Sequence, residues 1–522
     1  MDTISADLFD FVKSMSRTEK RYCSMGLHKI VKGVKTPTMQ SKLFDALNSM
    51  EEYEEEKLKS LLAKRLSSTD KTRKFINRLT VEQNKLYQSL LKAIRNYYGD
   101  SSDYIKLKEF LISAKQLLDR GLFSQSAKLL GKAKKLAIQY DNQFALLEIN
   151  RTERSLVWLL KERKKDEEIE QLIAEKEDSL QLLKTELTYQ DNYDQMCLET
   201  AKHHNLSQRQ KEDLKNEFYD FLFNSEQKKQ TGYSQLRHIQ SKGFYHILMQ
   251  DQEKTLLTLT EEYQWWEEHP AYKQEDFFRY KISLNNYLLA NFRKKEFDIV
   301  LSTLSKLEEK KQMGFAESIM LFEFKSMYKF LIYLNKAELE QARAMVDEIK
   351  EGLQSYPLSI SKKMAITHNI GILYFFSEDF EKSKQWLLKL TGGHSTGNRE
   401  DIRIFASLLL CLCNHELNAV DDLEKSLRSI DRVLRKNEEI GNDDVEYLVL
   451  ELIKKVHNVP PSDLPDALSA FITALEATKK HKEKKSTAFV EEFLIWATSR
   501  VKKKSMKEVL KDTMKKKQTA ST

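Results

Sequence analysis

The sequence predicts an all-α fold, and more narrowly a tetratricopeptide-like α-solenoid of antiparallel helix pairs with an N-terminal helical cap domain. Three observations support this prediction. Helix breakers are scarce, with 14 Gly and 6 Pro among 522 residues. Apolar residues recur at helical spacing, and a helix-pair pattern returns about every 42 residues. One hydrophobic core rarely serves more than roughly 250 to 300 residues, so units in series are expected.

Residues 1–100 are predicted to form the cap domain. Ser16-x-x-Glu19 has the form of a capping box, Thr38 is placed to cap a helix, and Gly33 and Gly99 stand where helices should end. The expected helices cover residues 4–14, 17–33, 38–49, 51–66 and 70–98.

Residues 101–249 are predicted to continue as paired helices, with a first tetratricopeptide-like repeat at 109–141. Gly121 marks the turn, and the small residues Ala114 and Ser126 would let the two helices approach closely. From residue 142 to 249 the sequence indicates long helices that do not align with the repeat. This stretch is therefore either part of the stack or a helical insert.

Residues 250–457 are predicted to be a repeat array. The residue that opens the second helix of each pair is aligned at spacings of 45, 42, 41 and 43. These positions are Gln252, Phe297, Leu339, Phe380 and Leu423. The period exceeds the roughly 34 residues of a standard tetratricopeptide repeat, so longer helices are expected.

Residues 458–522 are predicted to be C-terminal capping helices followed by a Lys-rich tail. Pro460 and Pro461 end the array, and another helix is expected to start near Asp463. One more amphipathic helix follows, with Phe489, Phe493 and Trp496 on its apolar side. Residues 479–522 contain 14 Lys/Arg against 5 Asp/Glu, a net charge of +9. The whole chain has a net charge of +7, so residues 1–478 sum to −2. The last Ser, Thr and Lys residues are expected to be disordered. A candidate anion-binding tail comprises Lys502, Lys503, Lys504, Lys515, Lys516 and Lys517.

An aromatic group near one repeat boundary is the candidate partner-binding site. It consists of Tyr263, Trp265, Trp266 and Tyr272. Aromatic side chains anchor peptides in concave grooves, although packing between repeats explains most such groups.

Other motifs have simpler explanations than catalysis or metal binding. The loop Gly392–Arg399 lacks the Lys and Ser/Thr of a phosphate-binding loop, and it follows a helix. His203 and His204 have Glu199 nearby, but a metal site would need further ligands. Cys411 and Cys413 are expected to be buried core thiols. The acidic pairs at 421–422 and 443–444 are expected at helix N-termini, where carboxylates are favourable. No catalytic residue, metal or cofactor is therefore predicted.

Three N-terminal segments carry a resemblance to a known family. LFDFVKSMSRTEKRYCSMG begins at Leu8, LFDAL covers 43–47, and SLLKAIRNYY ends at Tyr98. Together they resemble the N-terminus of an uncharacterised family of bacterial tetratricopeptide-like helical-repeat proteins. The resemblance implies the repeat architecture and a cytoplasmic setting, and it implies no activity.

The sequence thus predicts a non-catalytic scaffold or adaptor that binds a peptide or partner helix in the concave face of a superhelix. The alternative is a nucleic-acid-binding protein that uses the basic tail. The four cysteines form no CxxC pair, the first residues are acidic, and the longest apolar stretch is Phe405–Cys413. These features favour a cytoplasmic protein without a membrane span. Neither the partner nor the oligomeric state follows from the sequence.

Overall fold

A computed structural model of the chain describes residues 3–31, 34–50, 52–65, 70–99, 102–159, 165–203, 206–224, 230–310, 314–391, 399–436, 445–460, 462–480 and 490–519. These residues are almost entirely helical, which confirms the all-α prediction. The solenoid arrangement, the cap domain and the segment boundaries at 100, 249 and 457 stay predictions. The chain divides into two compact units, Met1–Ala290 and Asn291–Thr522.

The first unit begins with six helices and one short hairpin. The helices are α1 (Thr3–Ser14), α2 (Arg17–Gly26), α3 (Met39–Ser49), α4 (Glu55–Arg65), α5 (Asp70–Ile76) and α6 (Leu79–Tyr98); the strands are β1 (His28–Val31) and β2 (Val34–Pro37). They continue with α7 (Asp103–Asp119), α8 (Phe123–Gln139), α9 (Gln143–Leu159), α10 (Lys165–Lys202), α11 (Gln208–Tyr219) with a π-helical turn (Asp220–Asn224), α12 (Gly232–Leu248), α13 (Gln252–Glu268) and α14 (Pro270–Glu275). Helix α15 (Phe277–Arg293) begins in the first unit, and its last residues from Asn291 belong to the second.

The predicted N-terminal caps are present. Ser16 Oγ accepts a hydrogen bond from Glu19 N at 3.1 Å, and Glu19 Oε2 accepts one from Ser16 N at 2.6 Å. Thr38 caps α3 by accepting from Ser41 N. The helices α1 to α6 surround one core that includes Leu8, Leu43, Phe44, Leu47, Leu86 and Leu90.

Two predicted N-terminal helices were wrong in extent. The helix expected over 17–33 ends at Gly26, and the antiparallel strands β1 and β2 follow with Val31 opposite Val34. β-Branched residues in this stretch favour extended backbone over helix. The helix expected over 70–98 is divided between α5 and α6. Gly33 lies outside the described residues.

Residues 142–249, which do not align with the repeat, contain the longest helix among the described residues. The 38-residue helix α10 packs against both α9 and α12. No helix in the described ranges is long and apolar enough to cross a membrane.

The second unit continues with helix pairs. Its helices are α16 (Phe297–Glu308), α17 (Phe315–Phe324) with a π-helical turn (Lys325–Lys329), α18 (Phe330–Asn335), α19 (Leu339–Ala344), α20 (Val346–Ser355), α21 (Ile360–Phe376), α22 (Phe380–Thr391), α23 (Glu400–Glu416), α24 (Val420–Lys436), α25 (Val445–Asn458), α26 (Leu464–Lys480), α27 (Val490–Lys502) and α28 (Met506–Thr519).

A single type of turn joins many of these helices. It has one residue with φ between 52° and 76°, and the N–H of the following residue donates to the carbonyl five positions earlier at 2.8 to 3.0 Å. The next helix begins two residues after the positive-φ position. This is the Schellman type of helix end. The positive-φ residues of these turns are Gly121, Asp141, Gln250, Lys295, Ala337, Glu378 and Asn418.

The turns test the predicted alignment of the repeats. Helices α13, α16, α19 and α22 begin at Gln252, Phe297, Leu339 and Phe380, as predicted. The fifth position was wrong, because α24 begins at Val420 rather than Leu423. Leu423 is the first buried apolar residue of α24, and an exposed turn of helix precedes it.

A small residue faces a serine in two of the helix pairs. Ser126 Oγ donates to the carbonyl of Ala114 at 2.8 Å, and Ser383 Oγ donates to the carbonyl of Gly371 at 2.9 Å. All four residues are buried in the seam between their helices. The close approach predicted for Ala114 and Ser126 is therefore confirmed.

The C-terminal residues continue as helices. Helix α28 extends to Thr519, and Met506, Val509 and Leu510 in its first half are buried in the core of the second unit. Residues 520–522 lie outside the described part, so the disorder expected for the last residues stays a prediction. In α27, Arg500 forms ion pairs with Glu416 at 2.7 Å and Glu378 at 2.8 Å, and Trp496 Nε1 donates to Glu416 at 2.6 Å. Phe489 lies outside the described residues.

The positive-φ turn predicts an unusual response to glycine. Lys295 has φ 62°, a conformation that costs an L-residue roughly 1 kcal/mol or more and costs glycine little. Lys295→Gly should raise the free energy of unfolding by about 0.5 to 1 kcal/mol, and Lys295→Val should lower it. Urea unfolding followed by circular dichroism measures both. Lys294→Gly, at the adjacent exposed turn position, is the control and should not stabilise.

Gly352 predicts the opposite response. A Cβ at Gly352 on α20 would overlap the buried ring of Phe322 on α17. Gly352→Ala should lower the free energy of unfolding by about 1 to 3 kcal/mol, although alanine favours helix. Gly131 on α8 has open space around it, so Gly131→Ala should stabilise by about 0.5 to 1 kcal/mol. Equal stabilisation by both substitutions would show that α17 and α20 do not approach as described.

Candidate functional site

The predicted aromatic group is mainly core. Trp265, Trp266 and Tyr272 are buried, and Tyr263 is half-buried and stacks on Tyr287 at 4.5 Å between ring centroids. Trp265 stacks on His269 at 4.2 Å and meets Tyr272 edge-on. As they lie in the structure, these side chains pack helices α13, α14 and α15 together. The packing interpretation accounts for them, and a partner-binding role stays a prediction.

A buried polar network adjoins the aromatic group. Glu262 on α13 accepts hydrogen bonds from Gln240 at 2.6 Å and from Ser283, and Ser283 Oγ also accepts from Trp266 Nε1 at 3.0 Å. Gln240 in turn accepts from the guanidinium of Arg237 at 2.6 Å. The amide of Gln240 thus links two buried charges of opposite sign. Through these bonds the network joins α12, α13 and α15.

Burial changes the acidity of both charged members of this network. Desolvation raises the pKa of Glu262, because its ionised carboxylate lacks water. Desolvation likewise lowers the pKa of the Arg237 guanidinium, which stacks on the ring of Tyr193 at 4.3 Å. Arg237 also donates to Gln190 on α10 at 2.7 Å. Helices α10, α12, α13 and α15 are therefore fixed to one another through polar contacts as well as apolar ones.

A better candidate for a binding surface lies between α9 and α10. The two helices run antiparallel, since Lys165 approaches Trp158 while Leu172 approaches Asn150. They border an open cleft of about 490 Å³. We refer to it as the α9/α10 cleft, and it is lined by Leu147, Asn150, Arg151, Arg154, Ser155, Trp158, Lys176 and Leu180.

The floor of the α9/α10 cleft is fixed by a buried amide. Asn150 Nδ2 donates to the carbonyl of Leu172 at 2.7 Å, which joins the middle of α9 to α10. On the other side of the same helix pair, Lys134 forms ion pairs with Glu153 at 3.0 Å and Glu175 at 2.7 Å. The cleft is therefore held between two rigid helices and does not depend on a loop for its shape.

Apolar side chains are exposed in and beside the α9/α10 cleft. Trp158 is 64% exposed, with the ammonium of Lys165 5.7 Å from its ring centroid. On α10, Ile173, Leu180 and Leu187 are 41%, 43% and 48% exposed. Their spacing of seven residues places them on one face, because two helical turns take about seven residues. This row is apolar surface that the described residues leave uncovered.

The rim of the α9/α10 cleft is basic. Arg151 and Arg154 lie three residues apart on α9, and Lys176 faces them from α10. Lys176 pairs with its neighbour Glu177 at 2.6 Å. Within the described ranges, neither arginine has a carboxylate within ion-pair distance.

Sequence reasoning missed the α9/α10 cleft. The signal was present in the seven-residue spacing of Ile173, Leu180 and Leu187 and in a tryptophan near the end of α9. Spacing alone does not separate a buried helical face from an exposed one, so the burial of neighbouring residues was needed.

The tail lysines lie on the surface of the second unit. Lys502, Lys503 and Lys504 are exposed at the junction of α27 and α28, and Lys504 pairs with Asp512 at 3.0 Å. Lys515 and Lys516 are exposed on α28, and the side chain of Lys517 lies outside the described part. Their anion-binding role stays a prediction.

The remaining sequence candidates occupy ordinary structural positions where they are described. Burial raises the pKa of the Cys411 and Cys413 thiols to about 12, as expected for core cysteines. Asp421 and Asp422 lie in the first turn of α24, and Asp422 pairs with Lys384 at 2.8 Å. His203 lies 3.8 Å from Glu199. His204, residues 392–398 and residues 443–444 lie outside the described residues.

No group of three or more His, Cys, Asp or Glu side chains suited to a metal ion occurs in the part of the chain that the structure describes. Comparison with known proteins found no matching protein family, no matching curated protein and no matching solved structure.

The buried Glu262 predicts a specific dependence of stability on pH. Its pKa is higher in the folded chain than in the unfolded chain, so the stability that protonation supplies is lost as pH rises through the folded-state pKa. Glu262→Gln carries no charge at any pH. The free energy of unfolding of wild type minus that of Glu262→Gln should therefore be larger at about pH 5 than at about pH 8.

Urea unfolding at the two pH values measures this difference. Glu261→Gln removes one negative charge from the exposed side of the same helix and serves as the control. A wild-type minus Glu262→Gln difference that is independent of pH would contradict the burial of an ionisable Glu262.

Proposed function

We propose that the chain is a non-catalytic scaffold of tetratricopeptide-like helix pairs that binds a helix of a partner protein in the α9/α10 cleft. The observation that carries the proposal is the uncovered apolar row Ile173, Leu180 and Leu187 beside the exposed Trp158. Large apolar side chains grouped on a surface mark interaction sites more often than isolated ones do.

The helix-pair turns support the repeat part of the proposal. The same positive-φ turn recurs at Gln250, Lys295, Ala337, Glu378 and Asn418, with spacings of 45, 42, 41 and 40. Chains with such periods stack their helix pairs into solenoids, because one pair alone leaves an apolar face uncovered. We propose the solenoid arrangement on this basis.

The geometry of the α9/α10 cleft favours a helix as the occupant. A groove between two antiparallel helices accepts a third helix that lays its apolar face into it. Exposed positions repeating every seven residues match the repeat of side chains on such a partner. Trp158 also favours this occupant, because tryptophan is one of the residue types enriched at the positions that dominate the energy of a protein interface.

Affinity purification from the cells that produce the protein tests the proposal. Wild type should retain a discrete partner, and Leu180→Asp should lose it because a carboxylate would be placed in an apolar contact. Leu257→Asp changes an exposed leucine on α13 outside the cleft lining and should keep the partner. Circular dichroism should show all three proteins folded. Retention of the same partner by Leu180→Asp, or no partner on wild type, would refute binding in the cleft.

A further inference from the structure

The charges around the α9/α10 cleft are unevenly balanced. On the side of α9 that faces α8, Glu153 pairs with Lys134, which also pairs with Glu175 on α10. On the side that faces the cleft, Arg151 and Arg154 have no carboxylate within ion-pair distance among the described residues. The cleft therefore carries positive charge that the described parts of the chain do not neutralise.

The spacing of the two arginines suits a carboxylate-bearing helix. Residues three apart on a helix are neighbours, separated by about 4.5 Å along its axis. Carboxylates three positions apart on an adjacent helix present the same separation. Guanidinium groups bind carboxylates with two parallel hydrogen bonds, which fixes orientation as well as charge.

The apolar part of the α9/α10 cleft distinguishes a protein from a nucleic acid. Arginines beside an exposed tryptophan suit both, because Trp158 could stack on a base. Leu147 and Leu180 in the lining, with Ile173 and Leu187 continuing the row, offer aliphatic contacts that a sugar-phosphate backbone does not use. Aliphatic anchors favour an amphipathic protein segment.

We infer that the α9/α10 cleft recognises an acidic amphipathic helix, with its carboxylates on Arg151 and Arg154 and an apolar anchor between Trp158 and Leu180. This inference rests on the proposed function and adds the chemistry of the partner. The paired arginines select the sign and orientation of the partner, and the apolar row supplies the buried contact.

Selection from a phage-displayed library of random 16-residue peptides on the immobilised full-length chain tests the inference. Peptides enriched on wild type should be net acidic and should contain Leu, Phe or Trp anchors. The leading peptide, made synthetically with a fluorescein label, should bind in anisotropy titrations. Its affinity should fall with rising salt, because its contact includes charge pairs that are partly exposed.

Two matched variants separate a local contact from a general charge effect. Arg151→Glu/Arg154→Glu should weaken the peptide by at least about tenfold, because two ion pairs become repulsions. Arg120→Glu/Arg209→Glu makes the same change in net charge at exposed positions outside the cleft lining, and it should bind within about twofold of wild type. Trp158→Ala should also weaken binding, and circular dichroism checks that each variant is folded.

The outcomes separate the inference from the proposed function. If no library peptide is enriched on wild type, peptide binding itself fails and the inference fails with it. If enriched peptides are neutral or basic, or bind Arg151→Glu/Arg154→Glu as tightly as wild type, only the acidic-helix inference is overturned. If a single-stranded RNA oligonucleotide displaces the peptide and depends on the same arginines, the cleft binds nucleic acid and the inference is also overturned.

Discussion

The left-handed turn between helices is the constraint on which the helix pairs depend. One residue of positive φ reverses the chain, and the N–H that follows it satisfies a carbonyl at the end of the preceding helix. A helix end otherwise leaves four carbonyls without partners. Because the next helix starts two residues later, the turn fixes both where that helix begins and how it faces the preceding one. The serine contacts with Ala114 and Gly371 then set how closely two of these pairs pack.

Polar contacts also fix the axial position of one helix against another. In the first unit, Gln240 on α12 donates to the carboxylate of Glu262 on α13, and an axial shift of α12 against α13 would leave Glu262 buried without this partner. In the second unit, Arg500 on α27 contacts Glu378 and Glu416, which lie at two separate turns of the helix-pair series. Apolar surfaces can slide past one another at little cost, whereas these hydrogen bonds and ion pairs are lost when the helices slide.

Much of the fold could be predicted from the sequence, because helix starts are encoded locally. The capping box at Ser16 and the starts of α16, α19 and α22 were predicted from residue type and spacing alone. The turn residues themselves were less visible, since Lys295, Ala337 and Glu378 adopt positive φ without being glycine. The candidate surface was harder still. Trp266 and Trp158 have the same chemistry, yet one is buried and the other exposed, and only the positions of neighbouring helices decide which is which.

The local character of the turns also bears on how the chain reaches its native state. Each turn bond closes a loop of a few residues, and the most extensive helix contacts are mainly between neighbours in the chain, such as α7 with α8 and α21 with α22. Short loops cost little entropy to close, and proteins rich in such contacts fold quickly. A helix pair of this kind has all the residues it needs soon after it leaves the ribosome. Arg500 is an exception, since it reaches Glu378 across 122 residues, so the pairs it joins are completed only after those residues have been synthesised.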